Sequence, residues 1–336
     1  MHSSTHPFAL DTNPHSDWLL EAHALHIHPL RHHATAAHYT ENEIWVLRDD
    51  LLHPWANGNK LRKLDAYLPH LKHQGVTDIL TCGGVQSAHC AALSYLGAHF
   101  GIRTHLLLRG EQPKQVTGNL LVSQMFAHHI TWVDRDTYSD RATMLETHTT
   151  RLHTWATDPH FKLASIPEGA SDPLALKGLV RLVKNLKTQL PSPEQPWNLI
   201  VDSGTGTTMA GLIKGILNHK LPWHVTGVML MQHQRETYTQ TIEDLIQSTQ
   251  QHNALPYTLV ERTPPRRFGK ILEKDIQKCR QIAQNTGIMV DPIYTLAAYE
   301  ATLNAANTHT HNLWIHTGGA LNLFGAVLRK PHALAP

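Results

Sequence analysis

No stretch of this 336-residue chain approaches the run of about 18 apolar residues that would cross a bilayer, so the sequence predicts no membrane span. Charge of one sign is missing too. Lys plus Arg number 29 against 27 Asp plus Glu, a formal +2, which gives no electrostatic case for nucleic-acid binding or a polybasic membrane anchor. Cysteine is scarce. Cys82, Cys90 and Cys279 show no CxxC spacing, which argues against a disulfide framework or a cysteine-based zinc site. The opening Met1-His-Ser-Ser-Thr-His-Pro lacks the basic-then-apolar layout of a signal peptide, so a cytoplasmic protein is expected. No internal repeat is visible either.

Histidine is abundant, with 28 copies. Metal is the tempting reading, but there is no His-Glu-x-x-His. Neighbours such as His32–His33 and His128–His129 diverge on any regular helix or strand. No metal site is expected. A surface that uses His in place of Lys or Gln predicts instead a net charge that climbs as pH falls through about 6.5. With 41% hydrophobic residues, the chain can bury a sizeable core, and its length suits about two domains.

Residues 1–40 read as a polar, His-rich arm. Strands are expected at 44–47, 76–82, 103–108, 130–133 and 161–166, with helices at 60–73, 88–100, 118–129 and 173–189. Residues 190–197 hold three prolines and read as the clearest linker. Beyond it come strands at 198–202, 224–231 and 313–316, and helices at 208–217, 236–252 and 273–286. Alternation of this kind implies βαβ crossovers: an α/β protein of two lobes, each a mostly parallel sheet flanked by helices, with a cleft between.

Ligands of such sheets sit beyond the carboxyl ends of strands. Three junctions there are polar and glycine-rich. Ser203-Gly204-Thr205-Gly206-Thr207-Thr208 offers backbone amides, hydroxyls and a helix start, a phosphate cradle or a plain glycine turn. It is neither a Walker loop nor the dinucleotide fingerprint. Gly83-Gly84-Val85-Gln86-Ser87 is a second anion-ready helix start, in which Ser87 could equally be an N-cap. In His316-Thr317-Gly318-Gly319, Thr317 could bind a ligand or cap a turn. Lys60, Arg62 and Lys63 in Gly58-Asn59-Lys60-Leu61-Arg62-Lys63-Leu64 crowd a helix start, where cations oppose the macrodipole. A solvated basic turn explains them, and so does an anionic, imine-forming cofactor.

Taken in order, the motifs resemble a family. Leu47-Arg48-Asp49-Asp50-Leu51 with Gly58-Asn59-Lys60-x-Arg62-Lys63-Leu64, Gly83-Gly84-x-Gln86-Ser87, Pro167-Glu168-Gly169 with Lys177-Gly178, the 204–208 loop, Asp291-Pro292-x-Tyr294 and His316-Thr317-Gly318-Gly319 span roughly residues 43–325. This series is similar to the pyridoxal-phosphate enzymes of the tryptophan-synthase β-like fold (fold type II). Within them it is closest to the 1-aminocyclopropane-1-carboxylate deaminase/D-cysteine desulfhydrase family. The resemblance implies pyridoxal 5'-phosphate carried on Lys60. Gly204, Thr205, Gly206, Thr207 and Thr208 would hold its phosphate, with Lys63 assisting. Thr317 would face the ring nitrogen, a neutral hydroxyl that would leave that nitrogen largely unprotonated and the ring a moderate electron sink. Ser87 and Gln86 would meet the substrate carboxylate, and Lys60, Ser87 and Tyr294 would move protons. It further implies a large lobe of residues 1–60 and 166–336, a small lobe of 61–165, and a homodimer.

The chain departs from the family's pattern in four places. Ala88 stands where Asn is usual, Phe268 where Tyr often precedes Gly, Thr295 where the deaminases carry Glu, and Leu296-Ala297 where Gly-Lys is usual. Ring opening of the cyclopropane substrate asks for additional acid/base groups, so these changes favour the simpler β-elimination. The expected activity is that of a D-cysteine desulfhydrase, giving pyruvate, ammonia and sulfide from a small amino acid. The alternatives are the deaminase, a hydrolase giving 2-oxobutyrate and ammonia, and a catalytically weak paralogue that still binds the cofactor.

Overall fold

Runs of branched apolar residues form the strands, and the amphipathic stretches between them fold back as helices. The computed structural model describes residues 16–20, 25–31, 44–56, 58–231, 233–247, 255–305 and 311–334. In chain order the elements are β1 (Ile27–Pro29), β2 (Ile44–Arg48), α1 (Asn59–Leu64), α2 (Tyr67–His73), β3 (Asp78–Gly84), α3 (Ala88–Phe100), β4 (Arg103–Arg109), α4 (Gly118–Phe126), β5 (His129–Val133), α5 (Arg135–Ser139) and α6 (Arg141–Trp155). They continue as β6 (Leu163–Ile166), α7 (Leu176–Gln189), β7 (Trp197–Ser203), α8 (Thr207–His219), β8 (His224–Met229), α9 (Arg235–Ile246), β9 (Tyr257–Glu261), α10 (Glu273–Thr286), α11 (Thr295–Ala305), β10 (His311–His316) and α12 (Ala320–Arg329).

Two sheets result. One has the order β1-β2-β10-β7-β8-β9, the other β5-β4-β3-β6. Every pairing is parallel except β1 with β2. Helices cover both faces, so central strands lack polar alternation: Leu199, Ile200 and Val201 of β7 are all fully buried. The core of the larger sheet packs Leu182, Val183 and Leu186 of α7 with Leu212, Ile213 and Ile216 of α8. Helix α1 lies close on α7, where a Cβ on Gly178 would sit 2.0 Å from the Arg62 carbonyl oxygen.

Several expectations change. The single helix over 60–73 is two, because Pro69 has no N–H to return to the Asp65 carbonyl. That carbonyl accepts the Leu19 N–H instead (2.8 Å). The Asp65 carboxylate accepts the Leu20 N–H (2.8 Å) and pairs with Arg181 (3.0 Å), tying the buried pair Leu19–Leu20 to the α1–α2 joint. The helix expected from Pro173 opens with a short 3-10 turn before α7. Residues 190–197 are a short packed connection and not an open linker. They form the turn from α7 into β7, Trp197 is already buried strand, and the indole N–H groups of Trp197 and Trp223 donate to the carbonyls of Ser192 (3.3 Å) and Pro193 (2.9 Å). Helices α5, α6, α11 and α12 and strands β1 and β9 come in addition to the expected elements. Most of the 1–40 arm with His32–His33, and the end of the helix expected over 236–252, lie outside the described residues. Among the described residues no group of three or more His, Cys, Asp or Glu could hold a metal ion, and no helix is long and apolar enough to cross a membrane.

Candidate active site

The start of α1 enters the cleft at the carboxyl ends of β7 and β10. Gly58, at φ +67, makes the approach: a Cβ there would lie 1.8 Å from the Thr317 carbonyl oxygen. The Asn59 N–H donates to that same oxygen (3.3 Å), and its side-chain amide donates to Thr208 Oγ1 (3.0 Å), fastening α1 to both β10 and α8. The basic run is not solvated. Successive helical residues point about 100° apart, so Arg62 leaves the lysines and pairs with Asp49 (2.6 Å), both ions buried. Lys63, three residues from Lys60, is buried and donates to the Gly169 carbonyl (2.9 Å).

Lys60 opens onto the cleft, its Nζ 2.5 Å from Asn59 Oδ1 and 6.0 Å from the centre of the Tyr294 ring. Burial lowers its pKa, partly offset by the carboxylates of Asp202 and Asp291. Burial and then the charge of Lys60 lower that of Lys63 further. Two amines in one dry region thus lean toward neutrality or ask for an anion.

The anion seat lies alongside. Gly206, at φ +82, caps the 13-residue helix α8, whose first N–H groups have no partner within the helix. Thr205 and Thr207 share a hydroxyl contact (2.9 Å), and Thr207 reaches Ser171 (3.2 Å). Gly204 faces Tyr294, with a Cβ there 3.7 Å from the ring. Amides, hydroxyls and a helix start beside a lysine amine whose pKa is lowered by burial suit a phosphorylated aldehyde, so the residues present fit pyridoxal phosphate. Burial, followed by the charges of Asp291 and Asp202, pushes the Tyr294 phenol well above its usual range, which keeps it a proton donor. Phe268, half exposed, stands edge-on to Tyr294 at 5.9 Å.

From the other sheet, Ser87 caps α3 by accepting the Cys90 N–H (3.2 Å), which leaves its own hydroxyl proton to give. Gln86 is turned away. Its amide donates to the Thr117 carbonyl (3.1 Å) and accepts from the Asn119 N–H (3.1 Å), while Asn119 bonds Asn322 of α12 (2.6 Å). The Gln86 side chain therefore braces the loop against α4. Thr295 is fully buried and spends its hydroxyl on Asp291 (3.0 Å), whose carboxylate also accepts the N–H groups of Ile293 and Tyr294.

Three residues escaped the sequence reading. Asp202 follows the apolar Leu199-Ile200-Val201 near the end of β7 and accepts a hydrogen bond from the Thr317 hydroxyl; that lone carboxylate was the available signal. His89 is buried in the first turn of α3, beside the two lysines. Ser171 joins the hydroxyl cluster from a loop without a motif of its own.

Comparison with known proteins gives the following. The family described as "Pyridoxal-phosphate dependent enzyme" matches residues 24–318. A protein of Oryza sativa subsp. japonica, provisionally named D-cysteine desulfhydrase 2, mitochondrial, is 41% identical over 324 residues, covering 84% of this chain and 79% of its own. D-cysteine desulfhydrase of Salmonella choleraesuis is 28% identical, covering 88% and 92%. The solved structure of an ACC deaminase homologue shares the fold, with a TM-score of 0.75 at 22% identity, covering 92% of this chain and 94% of that one.

Proposed function

Since the chain belongs to the family of pyridoxal-phosphate-dependent enzymes, we propose that it is a lyase that removes the β-substituent of a small amino acid, D-cysteine foremost. The products are sulfide, pyruvate and ammonia, the last two after water hydrolyses the released enamine. The observation that carries this reading is the amine of Lys60 6.0 Å from the centre of the Tyr294 ring, which in turn faces Gly204 of the 204–208 loop. The cofactor, when bound, supplies the electron sink that makes the Cα proton acidic.

This chain's residues do the rest. Lys60 bears the cofactor and, with its pKa lowered by burial, serves as base toward the Cα proton. The amides and hydroxyls of Gly204, Thr205, Gly206, Thr207 and Thr208 hold the phosphate, and Lys63 supplies nearby charge. Thr317 meets the ring nitrogen. Ser87 and the loop amides receive the substrate carboxylate, with Gln86 fixing the loop. Tyr294 gives a proton to the departing thiolate. The relatives named above for D-cysteine desulfhydration support the substrate.

A protein of Thermotoga maritima provisionally named a 1-aminocyclopropane-1-carboxylate deaminase, 29% identical, keeps ring opening as the second reading. Thr295 speaks against it, because its hydroxyl is buried on Asp291 and offers no acid or base to a substrate. A catalytically weak paralogue would rest on Ala88 and Phe268.

The lobes are taken as 1–60 with 166–336 and 61–165, supported by the division of strands between the two sheets. The partner is taken as a second copy, seated on the exposed apolar side chains Leu121 and Met125 of α4 and Phe324 and Leu328 of α12. The location is taken as cytoplasmic, although the rice relative's name places that protein in mitochondria.

The visible spectrum with and without D-cysteine, followed by assays for sulfide, pyruvate and 2-oxobutyrate, tests the activity. Lys60→Ala should remove both the band and the turnover; substantial turnover in that variant sinks the assignment.

A further inference from the structure

Strands β10 and β7 pair in parallel; Thr317 directly follows the last residue of β10, and Asp202 is the last residue but one of β7. Both are buried, and the Thr317 hydroxyl donates its hydrogen to Asp202 Oδ1. A threonine hydroxyl owns one hydrogen and two lone pairs. With the hydrogen committed to a carboxylate, the oxygen can only accept from a third group. An unprotonated pyridine nitrogen is also only an acceptor, so in a dry site the two would face each other unsatisfied. A ring nitrogen that carries a proton completes the chain instead: it donates to Thr317, and Thr317 donates to Asp202.

We propose that Asp202 acts through the Thr317 hydroxyl as the anionic partner of the cofactor's ring nitrogen, so that this site holds that nitrogen protonated. The inference rests on the reading that Thr317 meets the ring nitrogen, and it reverses the expectation drawn from a neutral hydroxyl taken alone. Asp202 is a positioning residue, since it reaches the ring only through Thr317.

Charge balance points the same way. The ionisable groups facing Asp202 are Lys60, Lys63, Asp291, Tyr238 and Tyr294. Burial raises the Asp202 pKa, while the Thr317 bond and the charge of Lys60 hold it down. Once Lys60 bears the cofactor, a ring N–H⁺ donating to Thr317 would add a cation that helps keep Asp202 ionised. A protonated ring is the stronger electron sink, as in enzymes whose carboxylate meets the nitrogen directly.

The holoenzyme reconstituted with pyridoxal phosphate labelled with ¹⁵N in the ring gives the readout. At neutral pH the ring resonance should stand at the pyridinium position in the wild type and move toward the free-base position in Asp202→Asn and in Thr317→Val, while Asp202→Glu restores it. A wild-type resonance at the free-base position overturns the inference even where a variant fails to hold cofactor, as does a resonance unmoved by Asp202→Asn. A wild-type protein with no visible cofactor band overturns the underlying site reading instead, which keeps the two failures apart.

Discussion

His89 should make the protein acid-sensitive in a way that one substitution removes. The Thr81 hydroxyl donates to the Ile166 carbonyl (2.8 Å), so its oxygen accepts from His89 Nε2 (3.0 Å), which fixes the neutral tautomer. Nδ1 is buried without a partner, so a second proton there would find no acceptor. Burial first, then the charges of Lys63 and Lys60, push the His89 pKa from 6.5 down to about 3. An unfolded chain takes up this proton near its ordinary pKa and the folded one does not. Stability from His89 is therefore complete above about pH 6.5 and lost progressively toward about pH 3. At about 1.4 kcal/mol per pH unit below the unfolded pKa, the loss between about pH 8 and pH 5 is roughly 2 kcal/mol, and about 5 kcal/mol by pH 3. The assay is urea unfolding followed by tryptophan fluorescence at the two pH values, for the wild type and for His89→Gln, which keeps a donor for Thr81. Other groups titrate alike in both proteins and cancel in the difference. The wild type should lose about 2 kcal/mol more than the variant. Parallel losses would refute the reasoning.

Arg62→Met leaves Asp49 buried and unpaired and should cost about 3–5 kcal/mol in urea unfolding, whereas the double change Asp49→Leu with Arg62→Met should recover most of it; equal stabilities of single and double variants would contradict the buried-pair account. Gly58→Ala forces a methyl group into the Thr317 carbonyl and should lower both melting temperature and cofactor retention, with unchanged values in both measurements counting against the close approach. Ala88→Asn should raise affinity for pyridoxal phosphate in a fluorescence titration if the site is a weakened form of its family's, and a fall would mean a pocket rebuilt around alanine.

Where local chemistry decides an element, the sequence was readable. Helix α3 carries a local signal at both ends, since Ser87 caps its start and Gly101, left-handed at φ 72, ends it. Strand β7 showed through the buried apolar run Leu199-Ile200-Val201. Helix α6 did not, since Met144 is its one buried residue and a surface helix leaves little periodic signal; only its cap, Asp140, could have marked it. The motifs located Lys60, the 204–208 loop and Tyr294. Pairings that join distant positions stayed hidden: Arg62 with Asp49, Gln86 with the start of α4, and Thr317 with Asp202. Side-chain direction on α1 separates the first from the lysines, and strand adjacency creates the last. Neither is a property of a sequence window.

The clasp at Asp65 makes the aim of Lys60 depend on residues about forty positions upstream. Leu19 and Leu20 splint the joint where α1 gives way to α2, using a carbonyl that Pro69 leaves free and a carboxylate that Arg181 alone would not satisfy. A chain shortened past residue 20 would keep every motif of the cleft yet uncover that joint, with an orphaned carbonyl and two vacated leucine sites beside the helix that carries Lys60. Its defect would surface as loose cofactor and slow turnover, although nothing that touches the cofactor had been removed.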